Sequence, residues 1–199
     1  NKASGSWENS LIVEGDGATK LYYNNSLKLE TTNAGGALTG TWTGVGKLLQ
    51  HQQTTDYTHV TLANNGDNYS QLNTSITPAS TSSRVMVTVS LGLVSTNAQA
   101  DIGWSLYRTI SGQSGGAWLG VPSSTGAGVE ASFGAFMNEG AGWAVSSTMS
   151  FIDHPNTTSA CTYKVISRAN STRDMVINRR GSSNDLRTSS YMQLLEFSS

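Results

Sequence analysis

Apolar and polar residues alternate with a period of two along Arg84–Val94. Val85, Val87, Val89, Leu91 and Leu93 fall on one side, and Thr88, Ser90 and Gly92 on the other. That is the pattern of a half-buried strand. Five such side chains, each contributing about 1.5–3 kcal/mol when fully buried, predict a central core strand. Shorter strands are predicted at Tyr57–Leu62, Asp101–Thr109, Val129–Met137, Trp143–Ile152, Cys161–Arg168, Arg173–Asn178 and Tyr191–Phe197. Turn-rich breaks at Ser111–Gly116, Gly126–Gly128, Asn138–Gly142, His154–Thr158 and Gly181–Asn184 separate them. Helical periodicity is weak throughout. Many short strands with Gly between them predict an all-β fold, an antiparallel β-sandwich of jelly-roll type. The last strand is apolar on both faces (Met192, Leu194, Leu195, Phe197), which places it at the centre of a sandwich or at a subunit interface.

The first part of the chain reads differently. Leu11–Val13, Lys20–Tyr23 and Leu27–Thr31 are short strands joined by tight turns at Gly15–Gly17 and Asn24–Asn25, and Ala34–Ala37 and Thr39–Gly44 continue the pattern. This stretch has too few large apolar residues to fold alone and needs a partner, either the rest of the chain or other copies of itself. Residues 1–44 are therefore predicted as a β-rich stem and residues 45–199 as the sandwich head.

Composition narrows the function classes. The formal net charge is −1 and charged residues make up 13% of the 199, which argues against a surface built to grip nucleic acid or an anionic membrane. Solubility rests on hydroxyls and amides instead. Cys161 is the single cysteine, so no intrachain disulfide forms, and it reads as a core filler. No apolar run reaches the length of a membrane-spanning helix. With no initiating Met and no signal peptide, the chain reads as a piece of a longer sequence or a processed product.

Motifs for catalysis are weak. Gly112–Gly116 matches G-x-S-x-G around Ser114, but a nucleophile elbow needs a strand-to-helix turn, and Ala117–Gly120 followed by Pro122 does not start a helix. Gly44–Lys47 fails as a phosphate loop, because Leu48 stands where Ser or Thr is required. His51, His59 and His154 are scattered, with no helical pair to hold a metal. Glu130, Glu139, Asp101 and Asp153 are carboxylates whose spacing places no two together, as a glycan hydrolase would require. Asp153, beside Pro155, reads as a turn cap. The sequons at Asn24, Asn68, Asn73, Asn156 and Asn170 are expected by chance in a chain this rich in Asn, Ser and Thr. No catalytic residue, metal site or cofactor is predicted.

Two segments resemble the C-terminal region of tail fibre proteins of tailed bacteriophages, especially phages of marine bacteria and cyanobacteria. The first is Leu21–Thr32 followed by Leu38–Thr41, with Asn24 where the family pattern has Asp. The second is the closing block of Phe151–Thr158, Tyr163–Val165, Val176–Arg179 and Ser190–Phe197, ending on Glu196 before an apolar residue. Together they cover about half the chain. The resemblance implies a homotrimeric fibre on a virion with a β-sandwich head. Its partners are other tail proteins and a host surface polysaccharide or outer-membrane receptor, with no nucleic acid and no membrane insertion. The family shares no catalytic residues, so Asp153 and Glu196 read as structural acceptors. A tailspike-like glycan depolymerase and a purely structural virion fibre or decoration protein are the alternatives.

Binding groups on a sandwich are expected on its loops. The Gly/Ser-rich stretch Ser111–Gly128 carries Gln113, Ser114 and Trp118, and Trp143 follows the turn that begins at Asn138. Aromatic faces stack on sugars, and the amides and hydroxyls reach sugar hydroxyls. These five residues are the predicted receptor contacts, and Trp104 is predicted to be core.

Overall fold

The computed structural model describes residues 2–3, 6–7, 10–40, 47–63, 66–96, 100–122, 130–137, 144–169, 174–180 and 186–198. The chain divides into two compact units, Asn1–Val45 and Gly46–Ser199. Among the described residues no helix is long and apolar enough to cross a membrane.

In the first unit β1 (Lys2–Ala3) pairs with β2 (Ser6–Trp7). A second sheet runs in the order β3 (Leu11–Val13), β4 (Thr19–Tyr23), β5 (Ser26–Thr32) and β6 (Gly35–Leu38). Asn24 and Asn25 both sit at positive φ (50° and 55°) in the two-residue turn between β4 and β5, the geometry of a type I′ hairpin, which Asn tolerates. The register pairs Leu11 with Leu21, Leu21 with Leu29 and Leu29 with Leu38. Four leucines thus form one row across all four strands on one face. Leu11, Leu21 and Leu38 are exposed. Lys20 and Glu30 pair on the other face, and Lys20 also donates to Glu14 at 2.8 Å.

The second unit is an antiparallel sandwich. Its strands are β7 (Leu48–Asp56), β8 (Val60–Leu62), β9 (Thr74–Ile76), β10 (Arg84–Thr96), β11 (Ala100–Ile110), β12 (Gly116–Leu119), β13 (Phe133–Met137), β14 (Val145–Asp153), β15 (Cys161–Ala169), β16 (Met175–Ile177) and β17 (Ser190–Phe197). The six-stranded sheet has the order β7-β17-β10-β16-β8, with β14 also paired to β10. The five-stranded sheet has the order β12-β11-β15-β9, with β13 also paired to β11. Val85, Val87, Val89, Leu91, Met192 and Leu194 from the first sheet meet Ile102, Trp104, Leu106, Tyr163 and Val165 from the second in one core.

The core strand departs from simple alternation at one point. Val85 to Leu91 alternate inward as predicted, but a bulge between Leu91 and Val94 turns Val94 inward and leaves Leu93 half-buried. Gly92 sits in the bulge because nothing larger fits: a Cβ there would lie 2.6 Å from the carbonyl oxygen of Ser189. Beyond the bulge β10 changes partner and pairs with β16.

The alternation around Cys161 is inward, and the thiol is buried. In the second unit three strands lie where none is predicted from the sequence. β7 carries Gln50–Thr55, a polar run without alternation, and is held by its ladder to β17 rather than by packing. β9 and β12 are only three and four residues long. The predicted strand at Tyr57–Leu62 shrinks to Val60–Leu62, because Asp56 caps a turn by accepting from the Thr58 amide at 2.9 Å.

Candidate functional site

The five-stranded sheet turns Trp104, Leu106, Leu119, Tyr163 and Val165 into the core, so the alternate positions face outward. The register then sets Trp118 of β12, Tyr107 of β11 and Lys164 of β15 side by side on the outer face. Arg168 follows on the same side of β15. Trp118 is 46% exposed. Its ring centroid lies 4.5 Å from that of Tyr107 at 53°, and the Arg168 guanidinium carbon lies 4.3 Å from its ring centre. The Arg168 Nε–H donates to Ser105 Oγ at 3.3 Å, which fixes the guanidinium between the two strands.

Strands β12 and β13 lie end to end along the same edge of β11. Ser132 closes the junction. Its hydroxyl donates to the Leu119 carbonyl at 2.6 Å and accepts from the Leu106 amide at 3.0 Å. Beside this junction is an open cleft of about 260 Å³ that Arg168 also lines, with Ile102, Gly103, Pro122, Ala131, Phe133 and Gly134. A Cβ on Gly103 would come within 2.6 Å of Ala131 Cβ, so glycine permits the close approach of the cleft wall.

Of the predicted contact residues, Gln113 and Ser114 lie together, and Trp118 lies apart from them. Ser111–Gly128 is not one loop, because β12 interrupts it: Gly116 must pair with Thr109. Residues 111–115 are instead a tight hairpin turn in which the Gln113 amide donates to the Ile110 carbonyl at 3.1 Å. Gln113 and Ser114 line a cleft of about 180 Å³ with Arg108, Ile110 and Ala117. The G-x-S-x-G match is thus a strand-to-strand turn, without the helix that an elbow requires. Trp118 stands on the outer face of the sheet, away from that turn. Trp143 and Asn138 lie outside the described residues, as do the turns at Gly126–Gly128 and Gly181–Asn184.

Three buried carboxylates carry structure. Asp153 is no turn cap: it ends β14 facing inward, where it accepts from Arg108 Nη1 at 2.7 Å and from the Tyr163 hydroxyl at 2.7 Å. Glu196 accepts from the Ala79 amide at 2.7 Å and from Gln50 Nε2. Asp56 accepts from the Tyr69 hydroxyl at 2.6 Å and from Thr58. Asn178, at φ 64°, ties this group to Ser190 and to the Thr58 carbonyl. Burial raises the pKa values of Asp56 and Glu196, but the hydrogen bonds they accept outweigh it, and both end below the ordinary carboxylate range. Burial, together with the neighbouring carboxylate, pushes the Tyr69 and Tyr163 hydroxyls upward. Among the described residues no three His, Cys, Asp or Glu side chains gather as a metal site.

Reasoning from the sequence overlooked Tyr107, Lys164 and Arg168. The signal was present: with Cys161, Tyr163 and Val165 inward, Lys164 and Arg168 must face out. No protein-family model matches the chain, and no curated protein matches it.

Proposed function

We propose that the chain is a non-enzymatic, homotrimeric receptor-binding module of a phage tail fibre, attaching to a glycan on the host surface. The observation that carries the reading is the exposed Trp118 beside Tyr107 and Arg168 on a rigid sheet. A large indole left half in solvent gains little from folding, and its exposed part offers an apolar surface of the kind that sugars stack on. The tail fibre assignment itself rests on the resemblance of Leu21–Thr32 and Phe151–Phe197 to that family.

Non-enzymatic action is favoured by the carboxylates. Asp56 and Glu196 are kept ionised by their donors, whereas a glycosidase acid must hold its proton. Asp153 is engaged by Arg108 and Tyr163. Trimer formation is supported by the row Leu11–Leu21–Leu29–Leu38. A second row, Ile152–Met86–Leu195, crosses the outer face of the six-stranded sheet. Weak single sites joined in threes would gain avidity.

The test is binding of the purified chain to host cells, with W118A and Y107A as variants. Loss of cell binding at unchanged melting temperature supports the reading. Undiminished binding by W118A overturns this site, and release of reducing sugar from host polysaccharide overturns the non-enzymatic assignment.

A further inference from the structure

Among the described residues, the ion pairs within 4.0 Å are Glu14–Lys20 and Arg108–Asp153. Arg108, which is largely buried, has its carboxylate, whereas among the described side chains Lys164 and Arg168 have no carboxylate within 4.0 Å. Arg168 is nevertheless held in place. Its guanidinium carbon lies 4.3 Å from the Trp118 ring centre and its Nε–H donates to Ser105. The Nη donors of a guanidinium are the ones that grip a planar or tetrahedral oxyanion in bidentate fashion.

Lys164 stands four residues from Arg168 on the same side of β15, about 13 Å at the usual strand rise. The two cations flank the same pair of aromatics, with Arg168 against Trp118 and Lys164 across from Tyr107, an arrangement that suits a saccharide chain carrying more than one negative group. Tyr107 and Trp118 lie between and beside the two cations, where ring faces of the same chain would rest. The cleft that Arg168 also lines is bounded by Pro122, Ala131 and Phe133, and leaves room for a ring substituent next to the acid group.

We infer that this face binds an acidic glycan, a saccharide chain carrying carboxylate or sulfate groups, with Arg168 pairing one acid group and Lys164 the next. The inference rests on the glycan-attachment reading and adds the charge of the ligand and the residues that select it. Arg168 and Lys164 set specificity, while Trp118 and Tyr107 supply the stacking surface.

Titration calorimetry on the full chain with polygalacturonate, dextran sulfate and neutral dextran tests it. Binding to either acidic polymer but not to dextran is expected, and the responding polymer tells carboxylate from sulfate. R168Q should weaken that binding about tenfold or more, as loss of a charge-assisted hydrogen-bonded pair implies, and K164Q should weaken it by less. R84Q, at the exposed start of β10 in the other sheet, should leave it unchanged. Failure of both acidic polymers to bind, an unaffected R168Q, or an equal loss in R84Q overturns the inference. If W118A still abolishes attachment to host cells in that case, the attachment reading survives. If W118A attaches normally, that reading has failed by itself.

Discussion

Arg108 and Asp153 join the two sheets of the head. Arg108 projects from β11 of the five-stranded sheet and Asp153 from the end of β14 in the six-stranded one, with Nη1 2.7 Å from Oδ1. The Tyr163 hydroxyl donates to the same carboxylate from β15. Both charged side chains are largely withdrawn from water, so removing one strands the other. D153A is expected to cost about 3–5 kcal/mol, well above the loss of a turn cap. Replacing Arg108 and Asp153 together by Met and Leu should recover much of that. Urea unfolding of the three proteins checks it, and a D153A cost near 1 kcal/mol would mean that solvent reaches the pair.

The two tryptophans of the five-stranded sheet predict opposite behaviour. Trp104 is 1% exposed in the shared core and Trp118 is 46% exposed on its outer face. W104A should lose about 3–5 kcal/mol. W118A gives up only a partly exposed ring and its contacts with Tyr107 and Arg168, and should lose about 1 kcal/mol. Thermal melts of the pair, read beside cell binding, separate a packing tryptophan from a contact tryptophan.

Legibility followed burial. Val85–Leu91 is one strand of simple alternation because both its neighbours, β14 and β17, keep the same face inward. β7 was illegible because Gln50–Thr55 is polar throughout and carries no apolar alternation: its place is set by the backbone ladder to β17. The outer-face site was half legible. Trp118 stood out as an aromatic near glycines, but its neighbours Tyr107 and Arg168 come from strands eleven and fifty residues away in the chain. Only the register of β11 against β12 and β15 brings them together. Asp153 was misplaced for a related reason. The adjacent Pro155 marks a turn, while the residue's partners lie on the opposite sheet and leave no local trace.

Acid should weaken the head through Asp56 and Glu196. Their folded pKa values are depressed, so each contributes stability that is present above its unfolded value, near 4. That contribution is lost as pH falls through the lower folded value. Urea midpoints should therefore drop between about pH 6 and about pH 3. E196Q should be less stable than wild type at neutral pH and show a shallower drop. An E196Q profile parallel to wild type would mean that Glu196 titrates normally.

Assembly is best tested on the leucine row of the first unit. Deleting residues 190–199 would be uninformative, because β17 lies between β7 and β10 and its loss opens the six-stranded sheet itself. Leu11, Leu21, Leu29 and Leu38 lie on one face of a single layer of strands, while Lys20 and Glu30 occupy the other. A layer whose leucine row is exposed on one face and whose charges lie on the other is built to cover the leucine row. Covering it with the same face of two further copies would bury side chains contributing about 1.5–3 kcal/mol each, before the cost of association is subtracted. Light scattering of the wild-type chain should give three times the 21.0 kDa of one chain. Serine at Leu21 and Leu29 together should shift it towards a single chain. The head has its own core, so its melting transition should persist in that variant. A variant that stays trimeric would move the subunit contact to the Ile152–Met86–Leu195 row, where I152R becomes the informative substitution.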